Sequence, residues 1–124
     1  MVNKLDELLA FHHQALNLRA LRQEVLASNI ANADTPGYKA RDIDFKAALS
    51  AATQPPKGEP PTGAPAAASP PQLLYRQMIQ PSVDGNTVDM DVERAQFSQN
   101  SLHYEANITM LTHQIRTMLA AIQG

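Results

Sequence analysis

Four histidines are the side chains of this 124-residue chain best suited to bind a metal ion or to transfer a proton. His12 and His13 are adjacent and therefore point to different sides of a helix, whereas His103 and His113 are nearly three helical turns apart. Helices that bind zinc place two histidines four residues apart on one face, and no pair in the sequence has that spacing. We interpret the histidines as surface or interface residues and predict no metal site.

The acidic run DGNTVDMDVE, residues 84–93, resembles a calcium-binding loop only in composition. Such a loop needs glycine at its sixth position and an oxygen ligand at its fifth. Here Gly85 occupies the second position and Val88 the fifth. The run is better interpreted as a turn followed by the acidic first turn of a helix.

Composition argues against most other kinds of site. The sequence has no cysteine, no glycine-rich phosphate loop and no nucleophile elbow, so we predict neither an enzyme nor a cofactor or small-molecule substrate. Acidic and basic residues are interspersed and the formal net charge is −2, so nucleic acid is not an expected partner. No apolar run approaches the ~20 residues that cross a bilayer. A cleaved secretory signal is not expected either, because Asp6 and Glu7 stand where such a signal needs an uninterrupted apolar core.

Residues 1–33 are predicted to form one long helix, because apolar residues recur at steps of three and four and no proline or glycine occurs before Pro36. Arg19 and Arg22 interrupt the apolar face, so the pattern is not that of a simple amphipathic helix. Two interlocked sets make up this face: Leu8, Phe11, Ala15, Leu18 and Val25, and Leu5, Leu9, Leu16, Leu26 and Ile30.

Residues 91–124 are predicted to form a second long helix with the heptad seam of a coiled coil. Acidic residues stand where the start of a helix favours negative charge, and Gly124 follows the last apolar position. The seam positions follow alternating steps of four and three: Phe97, Ser101, Tyr104, Ile108, Leu111, Ile115, Met118 and Ile122.

Three segments separate the helices. Residues 34–49 form a predicted connector loop, in which Thr35-Pro36-Gly37-Tyr38 has the composition of a type II turn. Residues 50–72 hold seven of the nine prolines and are predicted to be an extended, flexible Pro/Ala-rich linker. Residues 73–90 combine a short β-like run with a turn and predict a small β element, in the form of a hairpin.

The predicted fold class is mainly α, with long terminal helices that pair in a coiled-coil-like arrangement. Isolated helices are marginal in water unless an apolar face is buried, and large core-building side chains are scarce in this sequence. We therefore expect an assembly subunit, and we expect the termini of a purified single chain to be weakly helical and to exchange amide hydrogens quickly.

Two stretches of the sequence resemble the rod and hook proteins of the bacterial flagellum. NIANADTPGYKARDIDF, residues 29–45, is similar to the signature of that axial family, and its continuation Lys39–Phe45 is similar to that of a proximal rod subunit. DGNTVDMDVERAQFSQNSLHYEANITMLTHQIRTMLAAI, residues 84–122, resembles the C-terminal segment of the same proteins. The resemblance covers nearly the whole chain except residues 50–72.

The resemblance implies a structural subunit of the proximal rod in the periplasm, which transmits torque and is exported without a cleaved signal. The implied partners are other copies of the chain, other rod proteins, an adapter between the rod and the membrane ring, and the flagellar type III export apparatus. The Asn residues of the motif are expected to bond across copies. A cytoplasmic export adaptor or chaperone for flagellar subunits is the alternative.

The candidate assembly residues lie on both helices and on the connector between them. They are Leu18, Val25, Asn29, Ile30, Asn32, Thr35, Pro36, Gly37, Tyr38, Arg41, Asp42, Phe45, Phe97, Asn100, Tyr104, Ile108, Leu111, Ile115, Met118 and Ile122.

Overall fold

The computed structural model describes residues 2–53, 71–76 and 83–124. In chain order its elements are α1 (Val2–Ala31), β1 (Arg41–Ile43), α2 (Phe45–Thr53), β2 (Leu73–Tyr75) and α3 (Met90–Gln123). Side chains near the end of α1 bond to side chains near the start of α3, as in the pair Asn29 and Glu93, so the two long helices pack antiparallel. The predicted pairing of terminal helices around a small β element is confirmed.

Both long helices begin or end with the capping chemistry that their sequences predict. Asp89 is the N-cap of α3, and its carboxylate accepts hydrogen bonds from the amides of Asp91 and Val92. At the end of α1, the Asn32 side chain donates to the carbonyl of Ser28 at 2.8 Å and so caps the helix end. The caps satisfy backbone groups that would otherwise lack partners.

The buried residues lie at one end of the helix pair. Among the described residues the apolar core is small and consists of Ala15, Leu18, Leu26, Ala40 and Ile43. These residues lie between the middle of α1 and the connector, whereas the opposite end, formed by the start of α1 and the end of α3, is open. There Leu8 is 41% exposed and Ile122 is 81% exposed. We refer to the two ends as the connector end and the distal end.

The side of α3 that packs on α1 is rotated from the predicted seam. The half-buried positions of the predicted seam include Phe97, Tyr104, Leu111 and Met118. Between these residues, Asn100, Asn107 and Gln114 are less exposed than the predicted seam positions that follow them. Ile108, Ile115 and Ile122 are exposed instead. The rotation has a polar cause, because Arg19 and Gln23 on the facing side of α1 hydrogen-bond to Asn100.

The small sheet joins strands from either side of the proline-rich segment. β1 pairs antiparallel with β2 in the register Arg41 with Tyr75 and Ile43 with Leu73. The sequence predicted a hairpin within residues 73–90. The pairing was not predicted, because each residue of β2 pairs with one that lies 30 to 34 positions earlier in the chain.

A short helix, α2, occupies residues for which the sequence analysis predicted connector and linker. Asp44 precedes it and accepts a hydrogen bond from the Ala47 amide at 3.2 Å, as an N-cap does. The alanine-rich sequence that follows favours helix. Of the predicted linker 50–72, residues 54–70 lie outside the described residues.

The uneven burial predicts uneven protection from amide hydrogen exchange. We expect slow exchange at the connector end, in residues 18–30 and 92–101, and fast exchange at the distal end, in residues 4–12 and 108–122, because few contacts hold the distal helix turns closed. Exchange of the full-length chain measured by mass spectrometry checks this. Uniform protection along both helices would contradict it.

Candidate assembly interface

Six polar residues join the connector to both long helices. Arg22 and Asn29 lie on α1, and Asp42 lies on β1. Arg76 is the residue that follows β2, and Glu93 and Gln96 lie on α3. We refer to this group as the polar junction: Arg22, Asn29, Asp42, Arg76, Glu93 and Gln96. It lies at the connector end of the helix pair.

Asp42 accepts hydrogen bonds from two arginines at once. Arg22 binds its carboxylate in bidentate fashion, through Nε at 3.0 Å and Nη2 at 3.1 Å, and Arg76 donates through Nη2 at 2.6 Å. The Ile43 amide adds a fourth bond at 2.7 Å. Burial alone would raise the pKa of Asp42, but the hydrogen bonds from Arg22, Arg76 and the Ile43 amide outweigh it and hold that pKa below its usual range.

Glu93 is the most deeply buried charge of the junction, with 1% of its surface exposed. One carboxylate oxygen accepts from Arg76 Nη1 and the other from Asn29 Nδ2 at 3.0 Å. Burial of an unpaired carboxylate is strongly unfavourable, whereas a carboxylate paired with a cation and hydrogen-bonded is tolerated. The position of α3 at this level therefore depends on Arg76 and Asn29.

Asn29 acts within the chain as a partner for the backbone of β1. Its Oδ1 accepts from the Arg41 amide at 3.1 Å, and its Nδ2 donates to the Arg41 carbonyl at 2.6 Å. The Tyr38 hydroxyl also donates to Oδ1 at 3.3 Å. The expectation that Asn29 bonds across copies is thus wrong. The amide is fully buried and its hydrogen bonds are made within one chain.

The predicted Pro-Gly turn is present and is joined to the segment before α3. The Tyr38 amide donates to the Thr35 carbonyl at 3.2 Å, and Gly37 has a φ of 74°, which confirms the type II geometry. The turn is held by Asn86, whose Nδ2 donates to the carbonyls of Asn32, Ala33 and Thr35 at 2.8–3.0 Å. One side chain thereby satisfies carbonyls beyond the end of α1.

Arg19 and Asn100 form a second polar contact between the long helices. Asn100 is fully buried and donates to the Arg19 carbonyl and to Gln23, each at 2.8 Å. The Arg19 guanidinium lies 3.8 Å from the centroid of the Phe45 ring, so α2 is packed on α1 by a cation–π contact. Burial, and secondly the nearby Arg22, lower the pKa of Arg19.

The distal end carries a continuous apolar surface on α3. Ile108, Ile115, Leu119 and Ile122 share one face of the helix, and each is at least 40% exposed. We refer to these four residues as the apolar stripe. Beside it, at the start of α1, Leu5, Leu8 and Phe11 are also exposed. Apolar surface of this extent on a helix is typical of an interface with another helix.

The predicted assembly residues divide into two groups. Thirteen of the twenty are buried or half-buried within the chain. The buried residues are Leu18, Asn29 and Asn100, and the half-buried residues are Val25, Ile30, Asn32, Tyr38, Asp42, Phe45, Phe97, Tyr104, Leu111 and Met118. Residues available on the surface are Thr35, Pro36, Gly37, Arg41, Ile108, Ile115 and Ile122.

Four residues of the junction were not predicted from the sequence: Arg22, Arg76, Glu93 and Gln96. The interruption of an apolar helix face by Arg22 was the available signal, since a charge on a packed face needs a partner. Gly85 and Asn86 were noted only as a turn.

Chemistry other than assembly finds no support in the part of the chain that the structure describes. No group of three or more His, Asp or Glu side chains there is placed to hold a metal ion. Within those same residues, no helix has the length and apolar content needed to span a bilayer.

A helical hairpin with a polar junction at one end and an exposed apolar stripe at the other defines a subunit of an assembly. A family model described as flagella basal body rod protein matches residues 9–39, which include most of α1 and the Pro-Gly turn.

Curated relatives match along the whole chain. The flagellar basal body rod proteins FlgB of Salmonella typhimurium and of Escherichia coli K12 are each 50% identical over 136 aligned residues, which cover 100% of this chain and 99% of the relative. FlgB of Cereibacter sphaeroides is 44% identical, with 94% of each protein covered. The chain belongs to the FlgB family of flagellar basal body rod proteins. It is a structural subunit and not an enzyme, and the alternative of an export adaptor has no support.

Removal of the Glu93 side chain tests the energetic importance of the polar junction. We expect Glu93→Ala to lower the free energy of unfolding by about 3–5 kcal/mol, because it leaves the Arg76 guanidinium and the Asn29 amide without a partner. Glu105→Ala, at an exposed position of the same helix, should change it by less than about 0.5 kcal/mol. Urea denaturation followed by circular dichroism measures both. Equal effects of the two substitutions would contradict the prediction.

The lowered pKa of Asp42 predicts acid sensitivity. The carboxylate stabilises the fold fully above its unfolded pKa of about 3.9, and that stabilisation is lost as the pH falls through the lower pKa of the folded state. The stability difference between the natural chain and Asp42→Asn should therefore be large at pH 7 and shrink below about pH 4. Urea denaturation at a series of pH values measures it. A stability difference that does not depend on pH would contradict a lowered pKa of Asp42 in the folded chain.

Proposed function

We propose that the chain forms part of the proximal rod, where it packs through its distal helix ends against other copies and other rod proteins and so transmits torque. The observation that carries this proposal is the apolar stripe, which α1 leaves uncovered. An exposed helix face of this kind is stabilised when a further helix covers it. The connector residues Lys39–Phe45 resemble those of proximal rod subunits, and this resemblance supports the same location.

The two ends of the helix pair have different roles in this proposal. At the connector end, polar and apolar contacts within one chain fix the turn, the sheet and α2. At the distal end, the chain supplies apolar side chains but too few neighbours to bury them. Assembly would complete the packing there, and the exposed residues Thr35, Pro36, Gly37 and Arg41 would contact a neighbouring subunit at the connector end.

Export and attachment follow from the same role. The chain reaches the periplasm through the flagellar type III export apparatus without a cleaved signal, and it joins the membrane ring through an adapter protein. A small core supports this route, because a fold with few buried side chains unfolds readily before passage through a narrow channel.

A charge in the apolar stripe should prevent rod assembly while leaving the fold of the single chain intact. We expect Ile115→Asp to abolish motility and recovery of the chain with purified basal bodies, because a carboxylate in a packed helix interface is strongly unfavourable. Leu111→Asp should do the same, but Leu111 is half-buried against α1, so that variant also tests the fold. Ile115→Asp is the sharper test.

His113→Asp is the matched control, since His113 is exposed and lies on the opposite side of α3 from Ile115. It should retain motility. Circular dichroism of the purified variants checks that both keep the helicity of the natural chain, and their appearance in the exported fraction checks that export is intact. Normal motility with Ile115→Asp would overturn the proposal.

A further inference from the structure

We propose that the return segment, residues 73–76, and the packing of α1 on α3 at the connector end form one cooperative unit, in which docked Arg76 is required for Glu93 to stay buried. The return segment contains β2 and Arg76, and it directly follows the proline-rich segment 50–72 in the chain. The inference goes beyond rod assembly, since it concerns how a single chain closes.

Arg76 contacts two other elements of the fold at the same time. Its Nη1 donates to Glu93 on α3, and its Nη2 donates to Asp42 on β1 at 2.6 Å. Its backbone amide donates to the Ala40 carbonyl at 2.9 Å, which extends the β1–β2 pairing by one bond. A single residue therefore connects the sheet to α3.

The two carboxylates depend on Arg76 to different extents. Without Arg76, Asp42 keeps the bidentate bond from Arg22 and the bond from the Ile43 amide. Glu93 would keep only the hydrogen bond from the neutral Asn29 amide, and with just 1% of its surface exposed it has almost no contact with water. An interior carboxylate without a cation is unstable. Loss of Arg76 therefore acts mainly through Glu93.

When the Glu93 carboxylate has no cation beside it, it becomes exposed to water. The first turns of α3 must then separate from α1, which breaks the bond between Glu93 and Asn29. Arg76 also binds Asp42 on β1 and the Ala40 carbonyl before it, so β1 loosens when Arg76 leaves. Undocking of the return segment and opening of the connector end are in this way the same event.

A double-mutant cycle on the full-length chain, followed by amide hydrogen exchange at pH 7, tests the coupling. Arg76→Ala should accelerate exchange about 100-fold or more in residues 93–100 of α3 as well as in β1, because it leaves a buried charge unpaired. Adding Glu93→Gln removes that charge, so the double variant should return to within about tenfold of the natural chain in α3.

Two exposed positions on α3 supply matched controls: Arg94→Ala and Glu105→Gln should leave exchange unchanged. The proposal is overturned if Arg76→Ala accelerates exchange only in β1 and β2, or if the double variant exchanges as fast as Arg76→Ala. If Arg76→Ala does not fold, recovery of helicity in the double variant supports the coupling and its absence refutes it. The measurement uses the purified chain alone, so its failure leaves the proposed place in the rod unaffected.

Discussion

The burial of Glu93 between Arg76 and Asn29 is the constraint on which the connector end depends. A carboxylate can remain in an interior only when a cation and a hydrogen-bond donor face it, and here these partners come from the return segment and from α1. Because Asn29 also binds the backbone of β1, and Arg76 also binds Asp42, the same contacts position the sheet. Polar interactions therefore determine the geometry of a connector whose apolar core is too small to do so.

At the distal end, apolar side chains are available but remain exposed. Complete burial of a large aliphatic side chain contributes about 1.5–3 kcal/mol, and the residues of the apolar stripe remain 40% or more exposed in the single chain. Part of the hydrophobic free energy available to this chain is therefore released only when other helices cover the stripe. In the proposed rod, such a subunit would be specifically folded at one end and would be completed by assembly at the other, which suits a member of a family of rod proteins.

The parts of the fold that depend on local sequence were predictable. The apolar periodicity predicts both long helices, Asp89 predicts the start of α3, and Pro36-Gly37 predicts the turn that the structure confirms. Contacts between distant residues were not predictable, because nothing local shows that Arg22 faces Asp42 or that β1 pairs across the proline-rich segment. The rotation of the α3 seam has the same origin, since it depends on which polar groups of α1 lie opposite Asn100.

Electron microscopy of basal bodies isolated from a strain that lacks only this protein tests the central claim most directly. If the chain is a proximal subunit on which the rest of the rod is built, the basal bodies will consist of membrane rings without a rod. Intact rods and hooks in that strain would contradict the account, because a subunit whose packing completes the base of the rod cannot be dispensable for it.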